Sequence, residues 1–225
     1  MEKNILKKNY FGRNYTFMQS NMKEIPSIDY IRDNGIDGII IVTDVPNKEI
    51  HDIQNISILK DLRGLNLNSY FYEELVDLSH FRNLEYLKMS GKANGNIPFS
   101  SLSSLWCIYL NYNKKNCKSI FECKNLEYIF IDNYTEISSK DFVAFEKAKS
   151  IGLIKNKIME FDAIKNMSQL EHIGIGYNPN MESISWIKNN NSLISVAFKN
   201  CKRIKDWEEI GTLGKIEKLV IENCG

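Results

Sequence analysis

Charge excess of either sign is missing from this chain: 29 Lys and Arg stand against 28 Asp and Glu, a formal net charge of +1. Without a basic surplus it lacks the electrostatic footprint of a non-specific nucleic-acid binder. No run of 18 apolar residues occurs, which excludes a transmembrane helix. The opening MEKNILKKNY has lysines but no apolar stretch behind them, so it does not read as a secretion signal. The five cysteines are an odd number without framework spacing. In the absence of an export signal they are expected to be free thiols in a reducing cytosol. Proline (4) and glycine (12) are scarce, whereas asparagine and isoleucine are abundant. AT-rich codons would produce that bias, and so would a repeat that demands Asn at fixed positions. The expectation is a soluble, cytoplasmic globular protein, with enough chain for one large domain or two small ones.

Chemistry-bearing motifs are equally sparse. The three histidines are His51, His80 and His172, and there is no HExxH, CxxC or glycine-rich phosphate loop. Cys117 and Cys123 are six residues apart with no histidine at ligand spacing, so half-buried thiols are favoured over a zinc site. No metal and no cofactor is expected.

A period is what the chain has instead. A template with apolar residues at positions 1, 4 and 6 recurs as Ile36-Ile39-Ile41, Leu62-Leu65-Leu67, Leu84-Leu87-Met89 and Leu105-Ile108-Leu110. It continues as Leu126-Ile129-Ile131, Ala148-Ile151-Leu153, Leu170-Ile173-Ile175, Leu193-Val196-Phe198 and Ile216-Leu219-Ile221. Successive starts differ by 26, 22, 21, 21, 22, 22, 23 and 23 residues, a regularity that marks a solenoid. The ninth position holds Asn113, Asn156, Asn178, Cys201 and Cys224, and departs from Asn or Cys at Asp44, Tyr70, Lys92 and Tyr134.

These residues resemble the leucine-rich repeat family, and the unit length looks most like the short bacterial repeats of the internalin type. The resemblance implies a right-handed α/β solenoid, a horseshoe of about nine repeats of 21–26 residues, with a parallel β-sheet on the concave face. Apolar residues three apart in the return segments suit short 3₁₀ or single-turn helices on the convex face. Ser138–Lys149 is expected to form a longer, capped helix of two turns. Residues 1–35 fall outside the template and are expected to be an N-terminal cap, with a strand or hairpin over Tyr10–Phe17, ahead of a repeat domain spanning 36–225. At the other end Lys215, Glu217, Lys218 and Glu222 scatter charge along the last strand. This fits a self-protecting edge, with a dimer or partner edge as the alternative.

An enzyme is not expected. Cys107 and His172 both occupy the third template position, but three strands apart puts roughly 14 Å between them, too far for a nucleophile and its base. Binding is expected instead. Positions 2, 3, 5, 7 and 8 should face outward, which gathers Tyr86, Trp106, Tyr109, Tyr112, Tyr128 and Phe130 on three consecutive repeats. Glu85, Lys88, Glu127 and Asp132 flank them, His172 lies further along, and Gly152, Gly174, Gly176 and Ala197 make a shallow floor beside them. Exposed rings rimmed by charge have the composition of a protein-binding hot spot. The resemblance implies a protein partner. A short repeat protein of this kind is similar to bacterial immunity proteins that neutralise a cognate toxin, and the alternative is a scaffold or regulator that binds a peptide or protein.

Overall fold

The computed structural model describes residues 5–20, 25–42, 59–68, 71–72, 78–93 and 97–225; Asp44, His51 and Tyr70 lie outside them. The chain forms two compact units, Met1–Cys123 and Lys124–Gly225.

The first unit opens on an antiparallel hairpin of β1 (Ile5–Tyr10) and β2 (Arg13–Ser20). Its turn residues Phe11 and Gly12 have φ of 50° and 88°, the left-handed pair that matches the twist of the flanking strands. Asn9 fastens the turn: its Oδ1 accepts from the Gly12 N–H at 3.0 Å and its amide donates to Asn14 Oδ1 at 2.8 Å. A short helix, α1 (Ile28–Asp33), is capped by Ser27 Oγ, which accepts from the Tyr30 N–H. Strands β3 (Gly38–Val42), β4 (Gly64–Asn68), β5 (Phe71–Tyr72), β6 (Tyr86–Met89), β7 (Lys92–Ala93) and β8 (Cys107–Asn111) follow, then α2 (Lys114–Cys117). β2, β3, β4, β6 and β8 are parallel neighbours in that order, and β5 pairs with β7 separately.

The second unit is more regular. β9 (Tyr128–Asp132), β10 (Ser150–Ile154), β11 (His172–Gly176), β12 (Ser195–Lys199) and β13 (Lys218–Glu222) are parallel neighbours in chain order, with α3 (Asp162–Lys165) in a return segment. Equal template positions stand in register, as in Ile129↔Ile151↔Ile173↔Val196↔Leu219. This is the physical meaning of the period: each unit's apolar triplet is covered by the same triplet of its neighbours.

Eight of the nine triplets are buried, from Ile36-Ile39-Ile41 to Leu193-Val196-Phe198. In the ninth, Leu219 and Ile221 are 44% and 47% exposed. Beside the single-turn helices α2 and α3, the return segments carry short 3₁₀ turns, among them Phe99–Ser101, Lys118–Glu122, Lys140–Ala144, Ser185–Asn189 and Trp207–Thr212. The two-turn helix expected over Ser138–Lys149 is replaced by the five-residue 3₁₀ turn Lys140–Ala144. The reason is packing: Phe142 and Phe145, three apart, are both fully buried and meet edge to face at 5.5 Å. In a 3₁₀ turn residues three apart stand in line on one side, so both rings point inward.

The ninth-position ladder is present where Asn occurs in the second unit. Asn178 donates to Asn156 Oδ1 and to the Ile158 carbonyl, both at 2.8 Å, while its own Oδ1 accepts from the Asn180 and Met181 N–H groups. Cys201 Sγ donates to the Ile175 carbonyl. Tyr134 fills the same slot with a fully buried ring against Phe142. Asn113 is different: it is exposed and caps α2, its Oδ1 accepting from the Lys115 N–H. The eighth position is left-handed in five successive repeats, at Asn133, Lys155, Tyr177, Asn200 and Asn223 (φ 51° to 62°). Three of these five are Asn, the side chain that best tolerates this backbone after glycine.

Candidate protein-binding surface

In the first unit several of the outward positions expected to be exposed are buried. Tyr86, Trp106 and Tyr112 are 2%, 3% and 5% exposed, and Cys107 is fully buried. Their expected exposure is corrected: the β1–β2 hairpin lies over Tyr86 and Trp106. Tyr10 stacks on Tyr86 with ring centres 4.3 Å apart, and Phe17 meets Tyr86 edge-on at 5.9 Å. Phe11 approaches Trp106 edge-on, and the Arg13 guanidinium sits 4.1 Å over the indole. Tyr112 packs against Phe121. Glycines make room for the hairpin: a Cβ on Gly38 or Gly64 would lie 2.5 Å from the Phe17 ring.

A polar chain ties the hairpin down. Trp106 Nε1 donates to Tyr15 Oη at 3.0 Å, and Tyr15 Oη donates to Glu85 at 2.8 Å. Arg63 donates to both oxygens of Glu85, at 3.0 and 3.1 Å, and to Asp37 at 3.0 Å. Asp37 also accepts from the backbone N–H of Thr16 in β2. Burial works against ionisation of Glu85, but the hydrogen bonds from Arg63 and Tyr15 outweigh it and hold the carboxyl below its ordinary value. Burial and the Glu85 hydrogen bond push the Tyr15 phenol upward. Glu85, Tyr86 and Trp106 therefore act within the chain. Tyr109 and Lys88 stay half-buried, Lys88 Nζ lying 5.9 Å from the Tyr109 ring centre. Burial pushes the Tyr109 phenol up to about 12.

The second unit presents the open counterpart. Across its strands, equal positions form rows: Phe130↔Gly152↔Gly174↔Ala197↔Val220 and Tyr128↔Ser150↔His172↔Ser195↔Lys218. The Phe130 ring rests on Gly152, where a Cβ would come within 2.6 Å of it. Gly174 faces open space; a Cβ there would meet only the Ala197 methyl, at 3.9 Å. A shallow floor of Gly152, Gly174 and Ala197 is thus walled by Phe130 and Tyr128, and Ile154 and Tyr177 stand 49% and 48% exposed nearby. Glu127 is paired with Lys149 at 2.8 Å, Asp132 with Lys155 at 3.6 Å, and His172 Nε2 lies 3.9 Å from Glu171. The expected Glu127, Tyr128, Phe130 and Asp132 all sit on or beside β9, and His172 two strands away on β11.

Among the described residues no group of three His, Cys, Asp or Glu side chains could hold a metal ion. Burial pushes the Cys107 thiol far above its ordinary value, opposite to what a nucleophile needs, and pushes Cys123 up to about 12. Cys123 Sγ donates to the Phe99 carbonyl, a structural role.

The hairpin expected over Tyr10–Phe17 is present, but the sequence did not show that its Tyr10, Phe11, Arg13, Tyr15 and Phe17 lie over the outward positions of the first unit. A signal for them existed. Gly38 and Gly64 share the third template position in consecutive repeats, and glycine in a strand marks close approach by another group. Tyr15 and Phe17 alternate as one face of a strand, matching that gap.

No family model matches the chain, and no curated protein does. Solved structures do match. An internalin (inlF) of Listeria monocytogenes is 21% identical with a TM-score of 0.64, over 83% of this chain and 59% of its own. Internalin C2 of the same species is 18% identical with a TM-score of 0.66, over 85% of this chain and 82% of its own. A leucine-rich repeat protein of Leptospira interrogans is 18% identical with a TM-score of 0.61, over 84% of this chain and 47% of its own. The chain thus spans less than two thirds of the length of two of these three. Identities this low, with this geometry, establish the fold: an internalin-like leucine-rich repeat.

Proposed function

We propose that this protein is a non-enzymatic protein-binding module and that its partner docks on the sheet face of the second unit. The observation that carries this reading is the row Phe130-Gly152-Gly174-Ala197, an aromatic wall beside a floor without side chains, flanked by exposed Ile154 and Tyr177. Rigid aromatic and aliphatic side chains beside a close-approach floor supply buried area at little entropic cost. Glu127, Tyr128, Phe130, Asp132 and His172 are the contact residues proposed.

Within that class, the finer reading is an immunity-type protein that neutralises a toxin in the cytoplasm. Its support is the five free cysteines, which suit a reducing compartment, beside a sheet face of mixed charge on which Glu127 and Asp132 are paired with Lys149 and Lys155. No helix among the described residues is long and apolar enough to cross a membrane.

Gly174→Arg is the test, because it fills the floor from a position with free space and so leaves the fold intact. Capture from the source organism's lysate should yield a protein retained by the wild type and lost with Gly174→Arg. If that protein is toxic when expressed alone and harmless when co-expressed with the wild type, the immunity reading stands; if it is harmless alone, a scaffold or regulator remains. A partner held equally by both forms would place binding elsewhere.

A further inference from the structure

The open face of the second unit holds a slot with a defined outline. Gly174 of β11 lies on its outward side between Gly152 of β10 and Ala197 of β12. The Phe130 ring covers Gly152, where a Cβ would come within 2.6 Å of it. On the other side stands the Ala197 methyl, 3.9 Å from a Cβ built on Gly174. These two walls are two strand steps apart, roughly 9.6 Å. One layer of atoms fits between them at a van der Waals separation of about 3.5–4 Å from each, and two layers do not. Gly176 extends the slot along β11, bordered by the Ile154 side chain.

The two ends of the slot differ. Two residues back along the strands, Ser150, His172 and Ser195 form the next outward row. Ser150 is 6% exposed and Ser195 half-buried, and neither hydroxyl has a hydrogen-bond partner among the described residues. A hydroxyl so enclosed and unpaired rewards an occupant that bonds it. At the other end Gly176 and Ile154 offer only apolar contact. Charge is drawn away from the slot, since Lys149 pairs with Glu127 and Lys199 with Glu222, both at 2.8 Å. Glu171, 3.9 Å from His172 Nε2, disfavours an anion at the hydroxyl end. Resting on the reading that a protein docks on this face, we propose that the slot takes a tyrosine side chain of that partner. Its ring stands between Phe130 and Ala197, and its O–H meets the hydroxyls of Ser150 and Ser195. A flat ring fills one layer beside Phe130, and tyrosine joins that apolar body to a polar tip. Its O–H lies at the end of the ring's long axis and so points to the hydroxyl row, roughly 6.6 Å along the strand. Phenylalanine or leucine would leave both hydroxyls unpaired, and the phenol can donate to one and accept from another.

Titration of the full chain with N-acetyltyrosinamide, followed by backbone amide NMR shifts, tests the proposal. The probe should bind with a dissociation constant of about 1–10 mM, and N-acetylphenylalaninamide about fivefold more weakly for want of one neutral hydrogen bond. Ser150→Ala combined with Ser195→Ala should bring the tyrosine probe down to the phenylalanine level and leave the phenylalanine probe unchanged. Gly174→Leu fills the slot from a position with open space and should abolish binding of both probes. Circular dichroism checks that each variant keeps its fold. Equal binding of the two probes, or a tyrosine probe indifferent to Gly174→Leu, overturns the proposal. A tyrosine probe that does not bind at about 20 mM, beside a captured protein still lost with Gly174→Arg, overturns the tyrosine and keeps the docking face. A probe that binds beside a captured protein held equally by the wild type and Gly174→Arg overturns the docking face and, with it, the partner's tyrosine.

Discussion

Replacing Trp106 separates an internal anchor from a binding hot spot. Its indole is 3% exposed, carries Arg13 on one face, and donates its N–H to Tyr15 at 3.0 Å. Truncating a buried Trp to Ala costs about 3–5 kcal/mol through lost transfer and a residual cavity. Leaving Tyr15 without that donor adds roughly 1 kcal/mol. Trp106→Ala should therefore lose about 4–6 kcal/mol, a large share of the roughly 5–15 kcal/mol typical of a folded domain. Trp106→Phe keeps most of the ring but not the donor, and should lose about 1–2 kcal/mol. Urea unfolding followed by circular dichroism reads both. With a slope of about 2–3 kcal/mol per molar, the alanine variant's midpoint should fall by about 2 M and the phenylalanine variant's by less than about 1 M. A midpoint moved by less than about 0.3 M in Trp106→Ala would refute the reasoning, because a side chain that costs so little to remove is not packed under the hairpin.

Three more tests bear on the same architecture. Gly64→Ala should destabilise by about 1–3 kcal/mol, because its Cβ would lie 2.5 Å from Phe17 Cζ, and adding Phe17→Leu should recover part of that in the same urea assay. Asn178→Ala removes the donor to Asn156 and Ile158 and the acceptor for two backbone N–H groups, so it should cost about 2–4 kcal/mol and lower the thermal midpoint. Glu85 has a folded-state value below the 4.5 it would have unfolded, so its contribution to stability is complete above that pH and is lost as pH falls through the depressed value. Stability should therefore drop below about pH 4.5 in the wild type, and less steeply in Glu85→Gln, which already lacks that carboxylate.

The repeat architecture was legible because its cause is local and periodic. A unit that cannot bury its own triplet must stack, and the spacing of Ile129, Ile151 and Ile173 states the stacking directly. The surface was legible only in part, because template position says which way a side chain leaves the strand and not what lies over it. Tyr128 and Phe130 leave the strand into a half-open face, whereas Tyr86 and Trp106 leave it into the hairpin. That cover comes from residues 5–20, outside the period, and along the repeats only Gly38 and Gly64 at the third position mark the gap it fills. The asparagine excess likewise had a cause beyond the ladder and codon bias. Asn133, Asn200 and Asn223 occupy the left-handed eighth position, a backbone demand that the apolar template does not record.

Hydroxyl-radical footprinting of the wild-type chain tests the central claim most directly, because it needs no partner. If the hairpin encloses the first unit's aromatic side chains and the second unit's face stands open, Tyr86 and Trp106 should be modified far more slowly than Tyr177, which is 48% exposed. Modification of Trp106 or Tyr86 as fast as Tyr177 would contradict the account and return the binding surface to the first unit.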